Sequence, residues 1–124
     1  MELQVGVDLI EIARVEEALR RFGERFLERI YTPAEQAFCR GRVPELAARF
    51  AAKEAAMKAL GTGRRGVGWR EVEVLPDSRG RPLLYLHGRA RARADELGLT
   101  DFAVSLSHER GHAIAMVVGW SKGT

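Results

Sequence analysis

The strongest constraint in the sequence is a helical segment at positions 49–61, which reads Arg-Phe-Ala-Ala-Lys-Glu-Ala-Ala-Met-Lys-Ala-Leu-Gly. At about 100° per residue, four apolar side chains of this region fall within about 80° of one another: Leu46, Phe50, Met57 and Leu60. Alanines fill the opposite arc. Glu54 projects only about 40° from Phe50, at the shoulder of the apolar stripe. Desolvating an unpaired carboxylate costs several kcal/mol, so Glu54 needs a cation, a metal or a hydrogen-bond donor nearby and is the first candidate functional residue.

Lys58 lies one helical turn beyond Glu54 and allows two interpretations. The two side chains can form an i,i+4 pair, which supports a helix by only about 0.2–0.5 kcal/mol. Alternatively, both charges belong to a functional site. For this helix taken alone, the structural pair is the simpler interpretation, so the choice depends on the rest of the sequence.

Length and composition predict one globular domain, residues 1–124, that has no membrane partner. Apolar residues make up 46% of the 124 residues, and no apolar run approaches the roughly 20 residues of a membrane span. The first residues also lack the basic start and the apolar stretch of a signal peptide. We therefore expect a cytoplasmic protein. The single cysteine, Cys39, excludes an internal disulfide and suits a reducing compartment.

The charged residues indicate an anionic partner. The chain carries 20 Lys and Arg against 17 Asp and Glu, which gives a formal net charge of +3, and its isoelectric point is near 9.5. All the cationic residues except Lys53, Lys58 and Lys122 are arginines. A phosphate-bearing ligand, an acidic protein and a nucleic acid would all suit this balance.

The order of the local patterns predicts an α+β fold. A strand at 3–8 precedes a helix that begins near Ile12 and ends at Gly23, and Thr32 opens a short helix with a capping box that includes Glu35. Residues 42–45 link this helix to the long one, and residues 61–68 form a glycine-rich cationic loop. Two β-hairpins follow, with strands at 69–75 and 82–87 and at 102–107 and 113–118, separated by a helix at 88–97. We expect a mainly antiparallel sheet of hairpins packed on the long helix.

Two carboxylates in this arrangement could share a metal ion. Asp8 ends the predicted first strand, so its side chain can emerge at the edge of the sheet, and Glu54 lies in the middle of the long helix. Carboxylates from two elements, completed by waters and substrate phosphates, are a common Mg²⁺ site. Asp8 could instead act only as the N-cap of the first helix.

Further residues have the chemistry of a phosphate site, which would assist the cleavage of a phosphoanhydride or phosphodiester bond. They are Arg49, Lys53, the loop that starts at Gly61, Ser105, Ser107 and His108. Each is a weak signal alone, because Arg49 and Lys53 can be solvated and His108 can be an ordinary surface residue. The loop is not a Walker A sequence, since it follows a helix and lacks the lysine of that motif.

Three motifs together resemble the holo-acyl-carrier-protein synthase family of phosphopantetheinyl transferases. They are Gly6-Val7-Asp8, the segment 49–61 quoted above, and Val104-Ser-Leu-Ser-His108. The middle motif is long and specific, and the resemblance extends from Val5 to Val118. It implies an enzyme of fatty acid biosynthesis that uses Mg²⁺ to move the 4′-phosphopantetheine arm of coenzyme A onto a serine of an acyl carrier protein. Family members are typically trimers of a small α+β subunit, with active sites at the subunit interfaces.

The resemblance also assigns roles to individual residues. Asp8 and Glu54 match the metal ligands, and Lys58 matches the lysine near the reacting phosphate. Five residues fall in motifs that line the coenzyme A site: Arg49, Lys53, Gly61, Ser107 and His108. Arg14 and Arg21 resemble the basic face that receives the acidic carrier.

The implied reaction leaves two other functions to be separated from it by experiment. The carrier serine would attack the β-phosphate and release adenosine 3′,5′-bisphosphate, with Glu54 as the first candidate for the base. The alternatives are a small basic nucleic-acid-binding domain and a non-catalytic binder of coenzyme A or carrier protein. The arginines do not alternate with exposed aromatic residues, so we expect no nucleic acid partner.

Overall fold

The computed structural model describes residues 2–63 and 65–122, which form five helices, five strands and a 3₁₀ turn. In chain order they are β1 (Leu3–Glu11), α1 (Ile12–Phe22), α2 (Glu24–Ile30), α3 (Pro33–Cys39), α4 (Val43–Leu60), the 3₁₀ turn (Trp69–Glu71), β2 (Val72–Pro76), β3 (Pro82–Leu86), α5 (Gly88–Glu96), β4 (Asp101–His108) and β5 (His112–Trp120). One antiparallel sheet has the order β1-β5-β4, and β2 pairs with β3 in a second one. The predicted α+β fold is confirmed.

Helix α4 is the centre of the molecule and is buried on nearly every side. Alanines on one face pack against β1 and β5, and these small side chains let the helix lie close to the sheet. The alanine arc that the sequence places opposite the apolar stripe is therefore buried as well. The side that stays open carries Phe50, Glu54 and Lys58, which follow one another at one-turn intervals.

Gly6 sets the approach of β1 to α4. A Cβ atom at this position would lie only 1.8 Å from the backbone oxygen of Ala55, so the two backbones are in direct contact here. Because side chains alternate along a strand, Asp8 and Ile10 point to the same side as Gly6, toward α4. The glycine thus brings Asp8 to the turn of α4 that carries Glu54.

The opposite side of β1, β5 and β4, here called the outer face, is exposed, and it is apolar along β1 and β5. Its large apolar residues include Leu3, Val5, Val7, Leu9, Ile114 and Met116. Leu9 keeps 62% of its surface exposed and Met116 keeps 47%. The apolar alternation at 3–7 correctly predicted a strand, but those side chains face outward and not into the core.

Several element boundaries differ from those expected. The capping box is confirmed, because Thr32 Oγ1 accepts a hydrogen bond from the Glu35 backbone at 3.1 Å and Glu35 Oε1 accepts one from Thr32 N at 2.9 Å. Helix α2 was not predicted, and α4 already begins within the expected link at 42–45, with a proline in its first turn. The first three residues of the expected strand at 69–75 form the 3₁₀ turn. Among the described residues, no helix has the length and apolar character needed to cross a membrane.

Candidate functional site

The two candidate metal ligands line one cavity. Asp8 and Glu54 border a cavity of about 380 Å³, together with Arg14 of α1 and a floor that includes Phe50. Asp8 does not end its strand as expected, because β1 continues to Glu11 and Asp8 pairs with Ala115 within it. Glu11 occupies the N-cap position of α1, so the interpretation of Asp8 as a helix cap is also wrong. Asp8 reaches the cavity from mid-strand because its side chain faces α4.

Lys58 connects the two elements that carry the carboxylates. Its Nζ donates to the backbone oxygen of Val7 at 3.0 Å and to Asp8 Oδ1 at 3.2 Å. The lysine side chain is 55% exposed and that of Asp8 is 18% exposed. An exposed ion pair of this kind contributes little to stability. Lys58 is thus not held by the core, and it contacts Asp8, which lines the cavity.

The residues around the cavity fit a magnesium ion in the chemistry of their donor atoms. Carboxylate oxygens are hard ligands, and Mg²⁺ usually takes one or two of them and completes its shell with waters and substrate phosphates. Within residues 2–63 and 65–122, no group of three or more His, Cys, Asp and Glu side chains forms a metal cluster. Two carboxylates beside an open cavity match the magnesium pattern better than a closed all-protein site.

Lys53 is fully buried, which corrects its assignment to the coenzyme A site. Its Nζ donates to Glu35 Oε1 at 2.7 Å and to the backbone oxygens of Trp69 and Val72. Glu35 is buried as well, and its second oxygen accepts from Val74 N at 2.8 Å. Each proton of the ammonium therefore has an acceptor inside the protein. Lys53 is neither solvated nor open to a ligand, and it joins α4 to α3 and to the start of β2.

Arg49 is also buried, and it adjoins His108 through a shared carboxylate. Its Nε donates to the Val74 backbone oxygen at 3.2 Å, and its guanidinium lies 4.4 Å from the ring centre of Phe38. Glu45 binds Arg49 Nη1 at 3.2 Å through one oxygen, and its other oxygen lies 4.0 Å from His108 Nε2. The solvated alternative for Arg49 is therefore wrong. The structure brings Arg49 and His108 together near the amino-terminal end of α4.

Ser105 and Ser107 do not join the carboxylate cavity within one chain. Both are exposed on β4 and alternate with Leu106, and Ser107 pairs with Ile114 of the outer face. Asp8 faces the other side of the same sheet. The sequence motif places these serines close to His108 along the chain, but the alternation of the strand separates them from Asp8 and Glu54.

The loop after α4 contains a buried hydroxyl group without a partner. Gly61 ends the helix in the left-handed conformation, at φ 71°, and this confirms the predicted stop. Val67 is buried and anchors the loop to the core. Among side-chain atoms of the described residues, only Thr62 Oγ1 is buried without a hydrogen-bond partner. Such atoms are rare in folded proteins and often mark the place of a ligand or a water. Arg64, part of the predicted cationic loop, lies outside the described residues.

A second cavity between α1, α2 and α4 was missed by the sequence analysis. It has a volume of about 400 Å³, an aromatic wall that includes Phe22 and Phe26, and two arginines at its border, Arg25 and Arg29. It shares Phe26 and Phe50 with the carboxylate cavity, so the two are adjacent. Arg21 of α1 is exposed nearby, with its guanidinium 5.5 Å from the ring centre of Phe22. The signal was present in the helical spacing of Phe26 and Ile30 after Gly23.

Cys39 has the properties of a core residue and not of a nucleophile. The side chain is fully buried and unpaired with another cysteine. Burial raises the pKa of its thiol to about 11, whereas a catalytic cysteine needs a lowered pKa. The chemistry of the site therefore rests on its charged groups.

Comparison with known proteins identifies the family of this chain. The model of the 4'-phosphopantetheinyl transferase superfamily matches residues 4–117. A holo-[acyl-carrier-protein] synthase of Herpetosiphon aurantiacus is 54% identical, over 94% of this chain and 98% of the relative. The crystal structure of the Helicobacter pylori holo-[acyl-carrier-protein] synthase in complex with coenzyme A is similar with a TM-score of 0.85 and 32% identity, over 94% of this chain and 99% of that chain. The Chronobacterium ammoniagenes ACPS–CoA complex gives a TM-score of 0.83 and 34% identity, over 99% of this chain and 100% of that chain. By sequence and by fold, this chain belongs to the 4'-phosphopantetheinyl transferase superfamily.

Proposed function

We propose that this enzyme transfers the 4′-phosphopantetheine group of coenzyme A to a serine of an apo acyl carrier protein, with Mg²⁺, in support of fatty acid biosynthesis. The observation that carries the proposal is the common cavity of Asp8 and Glu54 beside Lys58, in a chain of this superfamily. The relatives named as holo-[acyl-carrier-protein] synthases and the neighbours solved with coenzyme A support the choice of both substrates.

Asp8 and Glu54 would hold the magnesium ion. When bound, the ion supplies positive charge that offsets the negative charge developing on the phosphates. Gly6 and the mid-strand position of Asp8 serve this role, because they fix one ligand against the helix that carries the other. Lys58 already neutralises part of the charge of Asp8 and can turn to the diphosphate, since its side chain is more than half exposed.

The transfer itself needs only a nucleophile, a base and charge neutralisation. The serine oxygen of the carrier attacks the β-phosphorus of coenzyme A, and a new phosphodiester bond forms. The bond to the bridging oxygen breaks, and adenosine 3′,5′-bisphosphate leaves. Glu54 is the group we assign to accept the serine proton, because it lies on the open side of α4 at the cavity. Lys58 stabilises the transferring phosphate electrostatically.

The loop that starts at Gly61 would bind phosphates of coenzyme A. It follows directly from the helix that carries Lys58, and its exposed Arg65 adds positive charge. The buried hydroxyl of Thr62 without a partner favours a ligand or water site there. Because Arg49 is buried, it would not contact coenzyme A over a large surface. It would act through Glu45, which it binds, and through His108, which lies beside the other oxygen of Glu45.

The carrier would dock on the helices next to the carboxylate cavity. Arg14 borders that cavity, and Arg25 and Arg29 border the adjacent aromatic one. Together with Arg21 they form a basic rim around an apolar floor, which suits an acidic protein with some apolar surface. This surface would bring the carrier serine to the edge of the cavity that holds Glu54.

The outer face supports assembly into a homotrimer. An apolar surface across two neighbouring strands, β1 and β5, is costly to leave in water, and a second copy of the chain is the occupant that the family resemblance predicts. Assembly through this face would also give Ser107 a place in a site between subunits. Sedimentation should detect trimers, and replacing Met116 by Lys should yield monomers. A wild-type chain that sediments as a monomer at micromolar concentration would remove the trimer from the proposal.

Mass spectrometry of the carrier tests the proposed reaction directly. The chain is mixed with coenzyme A, Mg²⁺ and an apo carrier protein, and the intact carrier is weighed. We expect the carrier to gain one phosphopantetheine group, with none gained when the metal is chelated. If a competent carrier gains nothing with any divalent metal while coenzyme A still binds, the chain is the non-catalytic binder. A steep salt-dependent affinity for generic DNA or RNA would instead favour the nucleic-acid alternative.

A further inference from the structure

Glu71 ties the end of the loop 61–68 to helix α5. Its Oε1 accepts from Gly68 N at 2.6 Å and from Arg89 Nε at 3.1 Å, and its Oε2 accepts from Arg89 N at 2.7 Å. The backbone oxygen of Glu71 also accepts from His87 N at 2.8 Å. One residue thus joins the last glycine of the loop to the first turn of α5.

Gly88 makes room for this carboxylate. A Cβ atom at Gly88 would lie 2.3 Å from Glu71 Oε2, and the residue has a positive φ of 51°. The close approach and the backbone conformation both require glycine there. The position of the carboxylate is therefore fixed by α5 and not only by the 3₁₀ turn to which Glu71 belongs.

The other end of the loop is held by the same helix. Arg93 Nε donates to the backbone oxygen of Leu60 at 2.9 Å, and this satisfies one of the last carbonyl groups of α4. Within the loop, the side chain of Thr62 borders Gly66, where a Cβ atom would lie 3.4 Å from Thr62 Cβ. Thr62 and Gly66 are therefore close to each other across the loop. A displacement of Gly68 would also move the part of the loop that contains the unpartnered hydroxyl of Thr62.

We propose that Glu71 is a positioning residue, which holds the described parts of this loop, residues 61–63 and 65–68, in the shape that receives the phosphates of coenzyme A. This inference rests on the proposed function, because it takes that loop as part of the coenzyme A site. Glu71 acts through the backbone of Gly68 and through α5. By ordering the loop before the ligand arrives, it lowers the entropy cost of binding. Desolvation raises the pKa of the Glu71 carboxyl, but its hydrogen bonds from Gly68 and Arg89 outweigh this effect and lower the pKa. The carboxylate is therefore charged at neutral pH.

Calorimetric titration with coenzyme A, without carrier, tests the inference. We expect Glu71→Gln to raise the Kd for coenzyme A by about tenfold. This is the usual effect of removing a group that orients the binding residues without touching the ligand. In steady-state assays the KM for coenzyme A should rise, with kcat and the KM for carrier unchanged. Gly88→Ala displaces the same carboxylate from the other side and should weaken coenzyme A binding in the same way.

Asp77→Asn provides a matched control. Asp77 Oδ1 also accepts two backbone N–H groups, at Arg79 and Arg81, but it does so in the turn between β2 and β3. The Asp77→Asn variant should bind coenzyme A with unchanged affinity. A wild-type Kd in Glu71→Gln, or an equal loss in Asp77→Asn, would overturn the role of Glu71 and leave the proposed function intact. A wild-type chain that binds no coenzyme A would overturn the proposed function itself.

Discussion

Replacing Lys53 by Met separates the role expected from sequence from the role found in the structure. If Lys53 contacted the ligand, the variant would be stable but defective in coenzyme A binding. If Lys53 instead supports the core, the variant would be unstable. Met fills a similar length but leaves Glu35 buried with its charge unpaired, and it removes the donor to the backbone oxygens of Trp69 and Val72. The burial of Lys53 lowers its pKa, and Glu35 beside it acts in the opposite direction.

The expected loss of stability is large. Removing one partner of a buried ion pair typically costs about 3–5 kcal/mol, because the other charge stays in the interior. The unfolding entropy of about 2.1 cal/mol/K per residue gives roughly 260 cal/mol/K for a chain of this length, so the melting temperature should fall by roughly 12–19 °C. In the double variant with Lys53→Met and Glu35→Gln, no unpaired carboxylate remains in the interior. We expect the double variant to recover about half of the lost stability.

Thermal unfolding at fixed protein concentration measures the effect. Lys122→Met is the matched control, because Lys122 is 75% exposed and lies 3.8 Å from Asp101. Surface changes of this kind stay within about 0.5 kcal/mol. If Lys53→Met melted at the wild-type temperature and failed to bind coenzyme A, the structural interpretation of Lys53 would be refuted and the expectation from sequence restored.

The features that sequence predicted correctly are local ones. The capping box of Thr32 and Glu35 and the stop at Gly61 depend on neighbours within four residues, so their chemistry is visible in the chain itself. The two hairpins are local as well, since each joins strands that are adjacent in sequence. The family motifs also pointed to Asp8, Glu54 and Lys58. The structure gathers the first two in one cavity and pairs the third with Asp8, and their roles in the reaction stay predictions.

The features that sequence missed depend on partners far along the chain. The pair of Lys53 and Glu35 spans 18 residues, and no local pattern distinguishes a buried lysine from a solvated one. Alanine fits either a buried or an exposed helix face, so the burial of the alanine face of α4 could not be predicted from its composition. The outward direction of Val7 depends on which side of β1 meets α4. Gly6 decides this, because only the glycine side of the strand can touch the helix backbone.

Four further experiments examine the packing of β1, the chemistry, the docking surface and the loop. Gly6→Ala should destabilise the protein by about 3 kcal/mol or more, because a Cβ atom 1.8 Å from a backbone oxygen forces β1 away from α4; unchanged thermal unfolding would contradict this packing. Glu54→Gln should abolish transfer to the carrier while the chain stays folded, and retained turnover would exclude Glu54 as base and ligand. Arg14→Glu with Arg21→Glu should raise the KM for carrier but not that for coenzyme A, since charge reversal repels an acidic partner; an unchanged KM for carrier would count against the basic rim. Desolvation raises the pKa of Glu71, but the hydrogen bonds from Gly68 and Arg89 and the charge of Arg89 together outweigh it and lower this pKa from 4.5. A carboxyl with a lowered folded-state pKa stabilises the protein above its unfolded-state pKa, and this contribution is lost as the pH falls through the folded-state value. Glu71→Gln should therefore lose stability at pH 7 but show a shallower decline below pH 4.5 than the wild type, and parallel acid-unfolding curves would show that the carboxylate is not held as the structure has it.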